Sequence, residues 1–229
     1  MSNWLWSVIT IIGTLSVYIA ALKVYRRFHS PFTLPILTST LTIILFLLVT
    51  NVSYDTYMTG GRFIEHLLGP AVVALAYPLY NQRHMVRKNF LNVTVGVTVG
   101  GIIGISTGGY LAKWVGVDQE LVASMVPKSV TTPIAMDLSL SIHGIPELTV
   151  VLVMVAGTGG AVLSPYVYKW CKIDHALARG IGLGNASHGI GTAKAIEKSE
   201  EEGAASSIAM TMSAVIVSIL IPLLYPLMS

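Results

Sequence analysis

A chain of 229 residues that is 53% hydrophobic and only 11% charged falls outside the ordinary soluble class, in which about a quarter of residues carry charge. Its net charge of +3 sits in short loops between apolar runs, as expected of loops on the inner side of a membrane, and calls for no nucleic-acid partner. One cysteine, Cys171, excludes an internal disulfide and a cysteine-based metal cluster. The apolar runs approach the roughly 20 residues that cross a bilayer, so the chain reads as an all-α polytopic membrane protein.

Residues 4–22 form the first expected span. No basic region precedes it, and Lys23, Arg26 and Arg27 follow it. That fits a retained helix with its N-terminus outside and not a cleaved signal. Residues 32–50 are the second span. The loop Asn51–Gly61 carries Tyr54, Asp55 and Tyr57 and meets no basic residue before Arg62, which suits the outside. Its Asn51-Val52-Ser53 matches a glycosylation triplet, a weak signal. Residues 63–82 are a third, less regular span, interrupted at Gly69-Pro70 and Tyr77-Pro78, and Arg83, Arg87 and Lys88 then mark an inner loop.

Residues 90–112 are the fourth span. Gly96, Gly100, Gly104 and Gly108 recur every fourth residue and so share one helical face. In lipid such a seam lets another backbone approach closely, so it reads as a helix-packing surface. A sliding surface between two moving parts is the alternative. Full spans at 147–168 and 204–226 bring the expected number to about six.

Two polar breaks interrupt otherwise helical sequence. The first, at 127–133, is Pro127-Lys128-Ser129-Val130-Thr131-Thr132-Pro133, after a half-helix over Leu121–Val126. Thr132 is the expected cap of the next half-helix, with Pro133 in its first position. The second, at 184–191, runs from Gly184 through Asn185-Ala186-Ser187-His188 to Gly191, with Asn185 or Ser187 as the expected cap. Irregular backbone at membrane depth is tolerated only where protein buries it or water reaches it. Three units, 63–112, 119–168 and 175–226, each place an interrupted segment before a full span. The first two end alike, as Tyr110-Leu111-Ala112-Lys113-Trp114 and Tyr166-Val167-Tyr168-Lys169-Trp170. One membrane domain over 1–229 is expected, with residues 1–58 as scaffold helices and 59–229 as a repeat-containing core.

Two topologies fit. Each break is a re-entrant hairpin, or each crosses fully as two half-helices. The hairpin form is preferred, because it puts Lys169, Lys172 and Arg179 inside and brings the two tips together near the midplane from opposite faces. Either way, helix N-termini with unpaired N–H groups would converge there and bind an anion. Lys128 adds a full positive charge, and Ser129, Thr131, Thr132, Asn185 and Ser187 add hydrogen-bonding side chains. Broken helices with polar interruptions at mid-depth are the sequence signature of a transporter site. His188 is a candidate for orienting substrate or for proton coupling; the alternative is a neutral imidazole bridging two backbones. Asp137, one turn into its half-helix, is a second coupling candidate, or a stabiliser of that helix start. Lys194 and Glu197 are expected to pair on one helix. No nucleophile elbow, phosphate loop or metal-ligand spacing is present, so neither an enzyme nor a cofactor or metal is expected.

At these breaks the sequence resembles a known family. Pro127 to Met136 and Gly184 to Ala193 look like the two signature stretches of the LrgB/CidB membrane proteins. Ala74-Leu75-Ala76-Tyr77-Pro78-Leu79-Tyr80 and Ser53-Tyr54-Asp55-Thr56-Tyr57 resemble that family too, and Asn185 to His188 with Gly191 to Ala195 look more like its CidB branch. The resemblance implies a multi-pass protein of a bacterial plasma membrane and two disagreeing functions. One is holin- or antiholin-associated control of murein hydrolase activity and autolysis with a CidA/LrgA-type membrane partner. The other is transport of glycolate-, glycerate- or pyruvate-like monocarboxylates. The paired breaks favour the carrier, with the lipid bilayer, a small anionic solute, a CidA/LrgA-like protein and a second copy of the chain as expected partners.

Overall fold

The computed structural model describes residues 3–28, 30, 33–74, 76–81 and 83–228, and their regular elements are helical. In chain order these are α1 (Asn3–Phe28), α2 (Pro35–Thr50), α3 (Tyr54–Glu65), α4 (Leu68–Ala74), α5 (Ala76–Asn81), α6 (Arg83–Lys88), α7 (Phe90–Val115), α8 (Gln119–Met125), α9 (Thr132–Ser141), α10 (Pro146–Trp170), α11 (Ala176–Lys198) and α12 (Glu200–Leu224). Among the described residues, four segments are long and apolar enough to cross a membrane, against the six expected: Trp4–Phe28, Phe90–Val115, Pro146–Trp170 and Glu200–Leu227. α2, at 16 residues, is a shorter apolar helix. The chain divides into two compact units, Met1–Ala71 and Val72–Ser229.

In the first unit, the segment read as an outer loop after Asn51 is instead α3. Ser53 caps it, its hydroxyl accepting from the Thr56 N–H. α3 lies on α1 with no room for a side chain at Gly60, where a Cβ would stand 2.6 Å from the Ser7 carbonyl oxygen. Ser7 Oγ donates to the Thr59 carbonyl at 3.0 Å, and the Thr14 and Tyr57 hydroxyls meet at 3.1 Å. Tyr57 belongs to this helix–helix contact, and α3 is a short amphipathic helix.

The expected third span, 63–82, is not one continuous helix. α3 ends at Glu65, a turn follows at His66 and Leu67, and α4 and α5 come next, with Leu75 and Gln82 outside the described residues. The early interruption precedes Gly69-Pro70. Pro70 and Pro78 each fall in the first turn of a short helix, where a missing N–H breaks no helical bond.

The second unit is built on α7, α10 and α12. α7 and α12 run parallel: Val93 and Val97 pack with Ile208 and Ala209 near their starts, and Lys113 Nζ donates to the Met228 carbonyl at 3.1 Å near their ends. The segments between them are hairpins. Ser124 on α8 and Ser139 on α9 would stand about 20 Å apart in a straight crossing. Instead the Thr149 hydroxyl lies 3.0 Å from the Ser124 carbonyl and 2.7 Å from Ser139 Oγ, so the chain has turned back. In α11, Gly191 lies against Leu183, eight residues earlier, with its Cβ position 2.6 Å from the Leu183 carbonyl oxygen. A continuous helix would separate these by about 12 Å. The reversal is at His188, whose φ of 40° and ψ of −129° divide α11 into two helices.

Hairpin α8–α9 enters from the face where α7 ends. Hairpin α11 enters from the opposite face, where α10 ends and α12 begins. Full span plus hairpin therefore occurs twice in opposite orientation, an inverted repeat. The twin motifs ending at Trp114 and Trp170 lie on opposite faces as a result. Both tryptophans are exposed, at 85% and 80%, as in an interfacial aromatic belt.

Candidate functional site

The two hairpin tips lie along one face of α7. Lys128, at the first tip, donates from Nζ to the Gly104 carbonyl at 3.0 Å. A Cβ built at Gly108 would collide with the Lys128 ammonium, and one at Gly104 would stand 3.1 Å from Ser129 Oγ. One turn earlier, at Gly100, a Cβ would fall on the Asn185 amide of the second hairpin. Positions four residues apart on a helix are about 6 Å apart. Lys128, Ser129 and Asn185 thus approach one short stretch of α7 from opposite sides of the membrane. The expected seam exists, but on its central turns it packs against polar side chains from both breaks.

The remaining residues of the second break point elsewhere. A Cβ at Gly160 of α10 would fall on the Ser187 hydroxyl, and one at Gly157 would stand 2.7 Å from His188 Nε2. His188 Nε2 is also 3.1 Å from the Val153 carbonyl. Asn185 therefore faces α7, while Ser187 and His188 face α10. The sequence reading grouped all three, because adjacent letters do not reveal which neighbour each side chain meets. Thr192 Oγ1 donates to the His188 carbonyl at 2.8 Å and lies 3.0 Å from Ser206 Oγ, which fixes the turn from behind.

Two expected caps are corrected. α9 begins at Thr132, so Thr131 is its N-cap, and the Thr131 hydroxyl makes no capping bond. Neither Asn185 nor Ser187 caps the second half of α11, because the helix runs on to His188 before turning. Asp137 is exposed on α9, unlike the buried groups at the second tip. Lys194 Nζ and Glu197 Oε2 pair at 3.2 Å, as expected.

Three hydroxyl or amide oxygens at the breaks are buried without a hydrogen-bond partner: Thr131 Oγ1, Asn185 Oδ1 and Ser187 Oγ. Asn185 is 7% exposed and Ser187 fully buried. Buried polar atoms are nearly always paired, so each such atom needs a reason. Thr94, Thr158 and Ser213 have similar atoms away from the two breaks. Gly157 and Gly160, which receive His188 and Ser187, were not read as site residues. The cluster of three glycines at the middle of α10 was the available signal.

Among the described residues no cluster of three His, Cys, Asp or Glu side chains is placed to hold a metal ion. The site's chemistry is that of one ammonium, several hydroxyls and an amide, a set suited to a small anion.

The sequence pattern of the LrgB-like family matches residues 14–227. "Uncharacterized protein YxaC" of Bacillus subtilis is 45% identical over 95% of this chain and 94% of its own length. "Holin-like protein CidB" of Staphylococcus aureus is 34% identical over 98% of both chains, and that of Staphylococcus epidermidis 35% over the same shares. No solved structure matches.

Proposed function

The chain belongs to the LrgB-like family, and on that premise we propose that it is a membrane carrier of small monocarboxylates working by alternating access. The observation that carries this reading is the pair of re-entrant hairpins entering from opposite faces and reaching adjacent turns of α7. Sites at the junction of inverted repeats, between broken helices, are the common plan of secondary transporters. Lys128 supplies the cationic contact, exchanging the Gly104 carbonyl for a carboxylate. Ser129, Asn185 and the start of α9 at Thr131 and Thr132 supply hydrogen bonds. Ser187 and His188 border the site on the α10 side, where His188 holds the turn that aims Asn185. Charge supports an orientation: Arg87, Lys88, Lys169, Lys172 and Arg179 belong to the face where α7 begins, which is the inner face by the basic-loop bias. Lys23, Arg26 and Arg27, which follow the first span, support an N-terminus on the outside by the same bias.

A second reading has its own support. The relatives named holin-like back an autolysis-associated role, acting with a CidA/LrgA-type partner, more directly than they back transport. A lesion-forming protein needs oligomerisation and gains nothing from two polar tips aimed at one place.

Uptake of radiolabelled glycolate and pyruvate into proteoliposomes separates the two. The carrier reading expects saturable uptake that Lys128→Ala reduces at least about ten-fold, the loss of one charge-assisted contact. Asn185→Ala and His188→Ala reduce it as well. Uptake unchanged in all three variants sinks the site. Unsaturable leak of unrelated solutes favours the holin-like reading.

A further inference from the structure

We infer that Gly100 and Gly104 of α7 form a wall of the binding site and set the size of the solute it admits. The inference rests on the carrier reading above. The seam of glycines on α7 does not meet the same kind of neighbour throughout. At Gly96 a Cβ would stand 3.2 Å from Ile181 Cγ2, an apolar helix contact. At Gly104 it would stand 3.1 Å from Ser129 Oγ, a nearly equal approach to a polar atom. At Gly100 it would fall on the Asn185 amide.

The Asn185 side chain is 7% exposed and its Oδ1 has no hydrogen-bond partner. A helix-packing seam has no use for a buried amide with an unpaired oxygen, because apolar neighbours pack as closely at lower desolvation cost. The Gly104 carbonyl in turn holds Lys128, so backbone, hydroxyl, amide and ammonium meet where α7 offers no side chain. A methyl added at 104 presses on Ser129, the chain neighbour of Lys128. A methyl at 100 displaces the Asn185 amide.

Gly96 and Gly104 form a matched pair, since an added methyl meets a neighbour at almost the same distance in both. A purely packing role predicts the same consequence for both. A wall predicts a change in selectivity for Gly104 alone. The experiment compares wild type, Gly96→Ala, Gly104→Ala and Gly100→Ala in proteoliposomes. It follows saturable uptake of two-carbon glycolate and three-carbon pyruvate, with thermal unfolding of each variant in detergent.

We expect Gly104→Ala to lower the pyruvate-to-glycolate ratio of Vmax/KM about ten-fold, chiefly through KM, the usual effect of one methyl in a fitted pocket. Gly96→Ala keeps that ratio at the wild-type value, and Gly100→Ala loses uptake of both acids while still folding. Should Gly104→Ala fail to fold, Ser129→Thr puts a methyl at the same contact from the hairpin side and carries the same expectation. Equal ratios in the Gly96 and Gly104 variants overturn the wall while leaving the carrier intact. No saturable uptake by wild type defeats the carrier reading instead, and the wall with it.

Discussion

The two hairpins perform the same architectural task with different chemistry. Hairpin α8–α9 is joined mainly by hydroxyls, with one close backbone approach at Gly144. Ser124 Oγ accepts from the Ile145 N–H at 2.7 Å, and Thr149 Oγ1 stands within reach of the Ser124 carbonyl and Ser139 Oγ. Hairpin α11 has a hydroxyl contact too, at Thr192, but is joined mainly where side chains are absent. Cβ positions at Gly180 and Gly184 fall on the backbone of Glu202 and Ser206 in α12, and that at Gly191 falls on the hairpin's own first half. A hydroxyl bridge can lengthen or rotate before it is lost. Backbone contact has no such slack, because packed interiors deform little before they clash. The second hairpin has the more backbone-to-backbone contacts of this kind, so on the carrier reading the first is the better candidate for movement.

The largest expected effect tests those contacts. Gly184→Leu drives a side chain into the Ser206 backbone, which no rotamer can avoid. Overpacking of this kind exceeds about 3 kcal/mol. We expect no monodisperse protein after extraction in detergent. Gly159→Leu, whose Cβ position meets nothing within 4 Å, should be recovered normally. Equal recovery of the two would show that the second hairpin yields at this contact.

A smaller effect is expected at the base of the second hairpin. Arg179 NH1 lies 3.6 Å from Glu202 Oε1, whose side chain is 8% exposed. Its Nε donates to the Ile173 carbonyl at 2.7 Å, and its own carbonyl accepts from the Tyr168 hydroxyl at 2.7 Å. The partner Asp174 is 89% exposed and adds little. Removing one member of a buried pair strands the other. Arg179→Met should therefore cost about 2 kcal/mol, below the full figure for a buried pair because the arginine is partly exposed. Glu202→Gln, which leaves the partly exposed Arg179 still paired with Asp174, should cost less. Thermal unfolding of both variants checks the order, and the reverse order would remove the ion pair as the hairpin's anchor.

Much of this plan was legible in the sequence, and what was missed has a common cause. Pro127-Lys128-Ser129 and the Gly184–Gly191 stretch marked the breaks because polar and glycine residues stood out against apolar surroundings. The reversal at His188 did not announce itself, since a positive φ is rare outside glycine and asparagine, and Asn185 and Ser187 drew the cap assignment instead. α3 was missed because its amphipathic stripe spans only twelve residues and its polar start at Tyr54 and Asp55 reads as a loop. The seam on α7 was legible as a pattern, while its neighbours were not. Whether Gly100 meets a methyl or an amide depends on a segment about 85 residues downstream, and spacing within a helix carries no record of that.

The smallest of the three effects probes the first hairpin. Thr149→Val keeps the shape of the side chain and removes the hydroxyl that stands between α8 and α9. The Ser124 carbonyl and Ser139 Oγ, both in fully buried residues, then lose a partner. Stranding buried polar atoms in this way costs about 1–2 kcal/mol, enough to lower the melting temperature without preventing folding. If the first hairpin is the moving one, the same substitution should act on function in a second way. Loosening the bridge makes opening easier, so Vmax for uptake should rise or hold while stability falls. A rigid first hairpin predicts that both fall together. Measuring Vmax beside the melting temperature for Thr149→Val therefore decides whether the difference between hydroxyl and glycine joints is a difference in mobility or only in composition.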